Sequence, residues 1–166
     1  MDVTTRITDF LVEIGIPIHF ETIQQPTFLP GIFIRQGELV IDKDKLLHPG
    51  DIVHEAGHLA VMPPRIRKEM TGDIGSDDKH IAGEIAAIAW SYAVCLHLGI
   101  DPYIVFHEHG YKGGGAHLVE SFEQGSEMGV PLLVWQEMTD SVRSNSTAFR
   151  FPKMRNWTCV VDRYQT

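Results

Sequence analysis

The longest apolar stretch of the sequence runs over residues 85–100 and sets the first constraint on the fold. It contains Ser91, Tyr92 and His97, and it is shorter than the roughly 20 apolar residues that a membrane-spanning helix needs. The stretch therefore predicts a buried helix, and we expect no membrane partner.

Helix signals extend this element upstream to a cap at Ser76 or Asp77 and end it at Leu98, since Gly99 suits the residue after a helix. Two neighbouring stripes lie along it at helical spacing, one apolar and one of small residues that permits close packing. The apolar stripe consists of Ile81, Ile85, Ile88, Tyr92 and Cys95. The stripe of small residues consists of Ala82, Ala86, Ala89 and Ala93.

Four shorter elements are predicted before the long helix. They are a helix from Thr4 or Thr5 to Ile14, a strand over 16–22, a β-hairpin over 31–42 with Gly37 in its turn, and a helix over 52–62. Asp51 would cap this last helix, and Pro63-Pro64 would end it. The order predicts an α+β fold in which a small antiparallel sheet of about three strands packs on the 52–62 helix and on the long helix.

The part of the chain after Gly99 carries weaker signals. Residues 103–115 form a loop rich in His and Gly, 116–124 predict a helix, and 131–138 predict a short helix or a strand. Residues 149–166 show no clear period. The length of 166 residues predicts one domain over 1–166, with a core at about 4–98 and an extension over 99–166.

The charge balance narrows the range of partners. The chain has 14 Lys and Arg against 22 Asp and Glu, a formal net charge of −8, which argues against a nucleic acid or an anionic membrane. Two cysteines do not form a disulfide framework, and the N-terminus lacks the pattern of a signal peptide. We therefore expect a cytoplasmic protein.

The segment His54-Glu55-Ala56-Gly57-His58 is the strongest chemical signal. Positions i and i+4 lie on one face of a helix, so His54 and His58 can bind a single ion. Glu55 then stands next to that ion. This is the HExxH pattern of zinc-dependent hydrolases. Gly57 in mid-helix indicates close backbone packing against the sheet or the long helix.

A catalytic zinc site needs about three protein ligands and one open position. The extended metzincin pattern is excluded, because Val61 and Pro64 stand where it requires Gly and His. Glu84, on or beside the apolar face of the long helix, is the candidate third ligand, since a buried carboxylate needs a cation or donors. His80, one helical turn earlier, remains the main alternative.

The residue types predict the chemistry of a hydrolase. Zinc activates a water molecule, and Glu55 would take up the proton of that water and pass it to the leaving amine. The oxyanion formed by attack needs a further donor. His107, His109, Tyr111 and His117 are candidates from the His/Gly-rich region, and Tyr111 and His117 are preferred.

Residues 50–60 (GDIVHEAGHLA) followed by residues 83–87 (GEIAA) resemble the compact gluzincins, and most of all the ImmA/IrrE-like minimal metallopeptidases. The resemblance covers about residues 4–98. It implies a zincin-like fold in which His54, His58 and Glu84 bind Zn²⁺ and Glu55 is the general base. Many larger gluzincins carry an acidic residue at the position of Ile88, and residues 100–166 match no motif of the family.

Three functions are compatible with this pattern. The first is a zinc metallopeptidase that cleaves peptides, which one strand of the 31–42 hairpin could align by backbone hydrogen bonds. The second is a non-catalytic zinc-binding module in which a histidine of the loop fills the fourth position. The third is hydrolysis of a small amide or ester. The presence of Glu55 favours an enzyme, because a structural zinc site does not need it.

Overall fold

The computed structural model of the protein describes residues 1–72 and 81–164. In these residues six α-helices accompany one small sheet of three strands, which confirms the predicted α+β class. The elements are α1 (Val3–Glu13), β1 (Ile18–Phe20), β2 (Ile32–Arg35), β3 (Glu38–Ile41), α2 (Gly50–Ala60), α3 (Pro64–Arg67), α4 (Ile81–Leu98), α5 (Gly115–Glu123) and α6 (Val130–Trp135). Short 3₁₀ helices span Pro102–Ile104 and Tyr111–Gly113.

The sheet confirms the predicted hairpin, but the pairing of β1 differs from the prediction. Strands β2 and β3 pair in antiparallel fashion around Gln36 and Gly37, whose φ angles of 49° and 78° are typical of a tight hairpin turn. Strand β1 pairs with β3 in parallel, in the order β1-β3-β2. The prediction of a purely antiparallel sheet is therefore wrong, because β1 lies beside the second strand of the hairpin, which runs in the same direction.

The helix starts differ from the predicted caps. Helix α1 is capped by Asp2, whose carboxylate accepts a hydrogen bond from the backbone N–H of Thr5 at 3.1 Å. Helix α2 begins two residues earlier than predicted, at Gly50, so that Asp51 lies inside its first turn. A Cβ at Gly50 would lie 1.9 Å from the carbonyl oxygen of Ile104. Only glycine therefore lets α2 start this close to the 102–104 turn.

Helices α2 and α4 pack closely at Gly57. A Cβ built on Gly57 would lie 3.1 Å from the Cβ of Ala87 and 3.3 Å from Cε3 of Trp90. Of the two neighbours predicted for Gly57, the long helix is the one that it contacts. Helix α4 ends before Gly99, whose φ of 60° suits a C-terminal cap as predicted. The predicted caps Ser76 and Asp77 lie outside the described residues.

The residues after Gly99 pack onto the core. Residues 130–135 form helix α6, which decides between the two predicted alternatives, and 115–123 form α5 as expected. The backbone N–H of Cys159 donates to the carbonyl of Ala60 at the end of α2, at 2.7 Å. The indole N–H of Trp90 donates to the carbonyl of Trp157 at 2.8 Å. One cluster of buried apolar side chains includes residues from both sides of Gly99.

In the described part of the chain no helix is both long enough and apolar enough to cross a membrane.

Candidate metal centre

The two histidines of the HExxH segment point at each other from one face of α2. The Nε2 atoms of His54 and His58 are 3.3 Å apart. The His58 side chain is 2% exposed and the His54 side chain 15%. The helix is fixed at its C-terminal end by Arg67, whose guanidinium donates to the carbonyls of Leu59 and Met62, each at 2.8 Å. The imidazoles therefore stand on a rigid element.

Glu84, in the first turn of α4, faces the two imidazoles. Its Oε2 lies 3.1 Å from Nε2 of His58, and its Oε1 lies 3.9 Å from Nε2 of His54. The close crossing of α2 and α4 at Gly57 brings the carboxylate within reach. The structure thus brings together the three residues that the sequence nominated as metal ligands.

The donor set fits a metal ion. One ligand atom from each of His54, His58 and Glu84 lies within 4.8 Å of the others. Two atoms bound to one zinc at 2.0–2.1 Å in tetrahedral geometry lie about 3.3 Å apart, which is close to the separations above. Two imidazole nitrogens and a carboxylate oxygen are also the donors of a His₂Glu catalytic zinc site.

Burial controls the protonation of two of these groups. It lowers the pKa of His54 from 6.5 to about 3, with smaller contributions from the nearby His58 and His107. The His54 imidazole is therefore neutral at neutral pH and has a lone pair available for a metal. Burial also raises the pKa of Glu84 above its usual value of 4.5. A carboxylate held in this way gains from a cation nearby.

Tyr111 contacts the centre through His54. Its hydroxyl lies 2.8 Å from Nδ1 of His54, so that Nδ1–H can donate to the phenol oxygen while Nε2 keeps its lone pair. Burial, and then the negative charge of Glu84, raise the pKa of Tyr111 well above its usual value. Tyr111 and Lys112 adopt φ angles of 52° and 54°, a left-handed conformation that is uncommon for such residues. The role of Tyr111 as an oxyanion donor stays a prediction.

Glu55 is buried within α2, at 7% exposure, next in sequence to His54. Its role as general base also stays a prediction.

The other predicted histidines lie in different places. His117 is exposed on α5 and is not part of the described wall of the cavity at the centre. His109 contributes to that wall, although its side chain is 66% exposed. His80, the alternative ligand, lies outside the described residues.

Asp51 and His107 form a pair that the sequence analysis missed. Nε2 of His107 lies 2.6 Å from Oδ1 of Asp51, and both side chains are largely buried. The ring of His107 also stacks on His48, with centroids 4.0 Å apart. Asp51 precedes His54 by three residues on α2, so it shares the ligand face of the helix. The spacing of three residues between Asp51 and His54 indicates that Asp51 lies near the ligands. The same residue type also suits a helix cap, which is the role that the sequence predicts for Asp51.

A cavity of about 840 Å³ opens at the centre. Its described wall contains Phe28, Leu29, Pro30, Leu47, His48, Asp51, His54, Glu84, His107, His109, Gly110, Tyr111 and Lys112. The volume is in the upper part of the range for sites that bind small organic ligands.

The chain matches no protein-family model, no curated protein and no solved structure. The resemblance to the compact gluzincins therefore rests on the sequence motifs alone.

Proposed function

We propose that the protein is a zinc-dependent hydrolase that cleaves amide bonds, of the metallopeptidase type. The observation that supports this most directly is the convergence of His54, His58 and Glu84, of which His54 and Glu84 line a cavity. In the described part of the chain the group of possible metal ligands consists of these three side chains. Three protein ligands leave room for a water molecule, as catalytic zinc sites require.

Each residue has a distinct role in this proposal. His54 and His58 hold the metal through Nε2, and Glu84 holds it through a carboxylate oxygen. A bound zinc ion lowers the pKa of a water ligand to about 7 and polarises a carbonyl group. Glu55 accepts the proton of the attacking water and passes it to the leaving amine.

Tyr111 orients the metal-binding face of His54. When Nδ1–H donates to the phenol oxygen, the tautomer with a free lone pair on Nε2 is fixed. The phenol keeps its own proton, because burial holds its pKa high. A role of Tyr111 as oxyanion donor would require the hydroxyl to leave Nδ1, which faces away from the metal-binding Nε2.

The test compares the wild-type protein with Glu55→Gln after both are loaded with zinc. We expect about one zinc per chain in both proteins. We also expect amide hydrolysis by the wild type that falls about 10²–10⁴-fold in the variant. Metal content is measured by elemental analysis, and hydrolysis by mass spectrometry of a mixed peptide library.

Three outcomes would contradict the proposal. Equal cleavage by the two proteins would show that Glu55 is not the general base. Failure of the wild type to retain zinc would show that the three residues do not form a zinc site. If both proteins bind zinc and neither hydrolyses peptides, the result would favour the non-catalytic zinc-binding module over the hydrolase.

A further inference from the structure

The cavity at the centre is lined by two chemically different groups of residues. One group is polar and includes His54, Glu84 and Tyr111. The other group is apolar and consists of Phe28, Leu29, Pro30 and Leu47, which we call the apolar wall. The wall is built by the two loops that flank the hairpin, one before β2 and one after β3. A ligand bound at the centre therefore shares its cavity with an apolar surface.

The apolar wall is exposed to solvent. Leu47 is 68% exposed and Phe28 is 65% exposed. Covering such surface with another apolar group is favourable. Large apolar side chains at the rim of a cavity are typical of a binding site.

A second, more open cleft of about 560 Å³ adjoins the first, and the two share Pro30 and Leu47. Its other described lining residues are Gln24, Gln25, Pro26, Thr27, Gly31, Asp44 and Lys45. The two clefts thus form one path that starts at the metal centre and crosses Pro30 and Leu47.

We propose that the substrate is an extended peptide with a bulky apolar side chain next to the cleaved bond. This side chain packs on the apolar wall, and the peptide continues across Pro30 and Leu47 into the second cleft. The proposal rests on the proposed hydrolase function and selects peptides over small amides.

The first experiment measures which bonds the zinc-loaded protein cleaves. The substrate is a library of peptides made by digesting denatured proteins, and mass spectrometry identifies the cleavage sites. We expect Phe, Leu, Ile or Met on one side of most Glu55-dependent sites. We expect a peptide of about eight residues to be cleaved at least about 10-fold more efficiently, in kcat/KM, than a blocked dipeptide with the same bond.

The second experiment tests the wall directly with Leu47→Ser and the control Leu96→Ser. Leu96 is 45% exposed on α4 and does not belong to either described lining, so neither substitution disturbs the core. Leu47→Ser should lower kcat/KM for the apolar peptide about 10-fold or more, and the control should not. The same peptide should bind to zinc-loaded Glu55→Gln, and Leu47→Ser in that background should weaken the binding measured by calorimetry.

The outcomes separate this proposal from the function on which it rests. Glu55-dependent cleavage without apolar preference, or with dipeptides cleaved as well as long peptides, would overturn the substrate proposal alone. Equal effects of Leu47→Ser and Leu96→Ser would also overturn it. If no peptide is cleaved in a Glu55-dependent way, the hydrolase function fails, and the substrate proposal fails with it.

Discussion

Replacing Gly57 by alanine has two effects of opposite sign on the stability of the fold. Alanine in the interior of a helix is more favourable than glycine by about 1 kcal/mol. Gly57, however, lies at the crossing of α2 and α4. Extra atoms in a tightly packed core cost about 1–3 kcal/mol. The sign of the net effect depends on whether the neighbours of the new methyl group can move.

The neighbours of Gly57 are fixed. The new Cβ would lie 3.1 Å from the Cβ and 3.2 Å from the carbonyl oxygen of Ala87, which are part of α4 itself. It would also lie 3.3 Å from the ring of Trp90, which is fully buried and bonded to the carbonyl of Trp157. Relief of these contacts requires α4 to shift as a whole. We therefore expect the packing cost to exceed the gain, with a net loss of about 1 kcal/mol.

The assay is unfolding of the metal-free protein, followed by intrinsic fluorescence. A loss of about 1 kcal/mol lowers Tm by about 2–4 °C in a protein of this size. Gly83→Ala is the matched control, because among the described residues its new Cβ meets only the terminal methyl of Met62, at 2.9 Å. This flexible side chain can move, so Gly83→Ala should leave Tm unchanged or raise it.

A second measurement connects the packing to the metal centre. If the methyl group at Gly57 displaces α4, Glu84 moves away from His58, and zinc affinity in Gly57→Ala should fall. The affinity is measured by competition with a chelator. A higher Tm for Gly57→Ala, with unchanged zinc affinity, would refute the account of the crossing.

Three further predictions concern the groups around the ligands. Tyr111→Phe removes the hydrogen bond to Nδ1 of His54 and should weaken zinc binding about 10-fold or more in a chelator competition; unchanged affinity would contradict the positioning role. Asp51→Ala leaves the buried His107 without its carboxylate and should cost about 1–3 kcal/mol in urea unfolding, whereas Asp9→Ala, on the exposed side of α1, should have no effect. The metal-free protein should lose stability below pH 6.5 and down to about pH 3, because His54 binds a proton in the unfolded chain but not in the folded one. This contributes about 1.4 kcal/mol per pH unit, and His54→Gln should flatten the dependence of unfolding free energy on pH.

The elements that could be predicted are those whose signals are local. The hairpin at Gly37 depends on two adjacent residues with positive φ, and the pairing of its strands follows from the turn. The facing of His54 and His58 follows from the helical repeat alone. Glu84 could be nominated because a carboxylate on an apolar face needs an explanation in any fold.

The parts that could not be predicted depend on contacts between distant segments. Strand β1 pairs with β3 because the loop over 21–31 crosses to the far edge of the sheet, and no residue in β1 specifies that choice. The contact of Tyr111 with His54 needs a left-handed backbone at Tyr111, which its sequence neighbours do not require. The pairing of Asp51 with His107 joins residues that lie 56 positions apart.

Three features of the centre bear on whether it holds a metal ion. Burial opposes the charge on Glu84, burial opposes protonation of His54, and the backbone of Tyr111 lies in an uncommon region. A structural role would pair the Glu84 carboxylate with Lys or Arg, but in the described part of the chain its close polar contacts are the two imidazoles. A divalent cation would neutralise the buried carboxylate and would bind the neutral imidazole of His54. The strained backbone at Tyr111 then maintains the contact that orients His54, as expected where strain is retained for function. Together these features favour a metal centre over a chance cluster of polar groups.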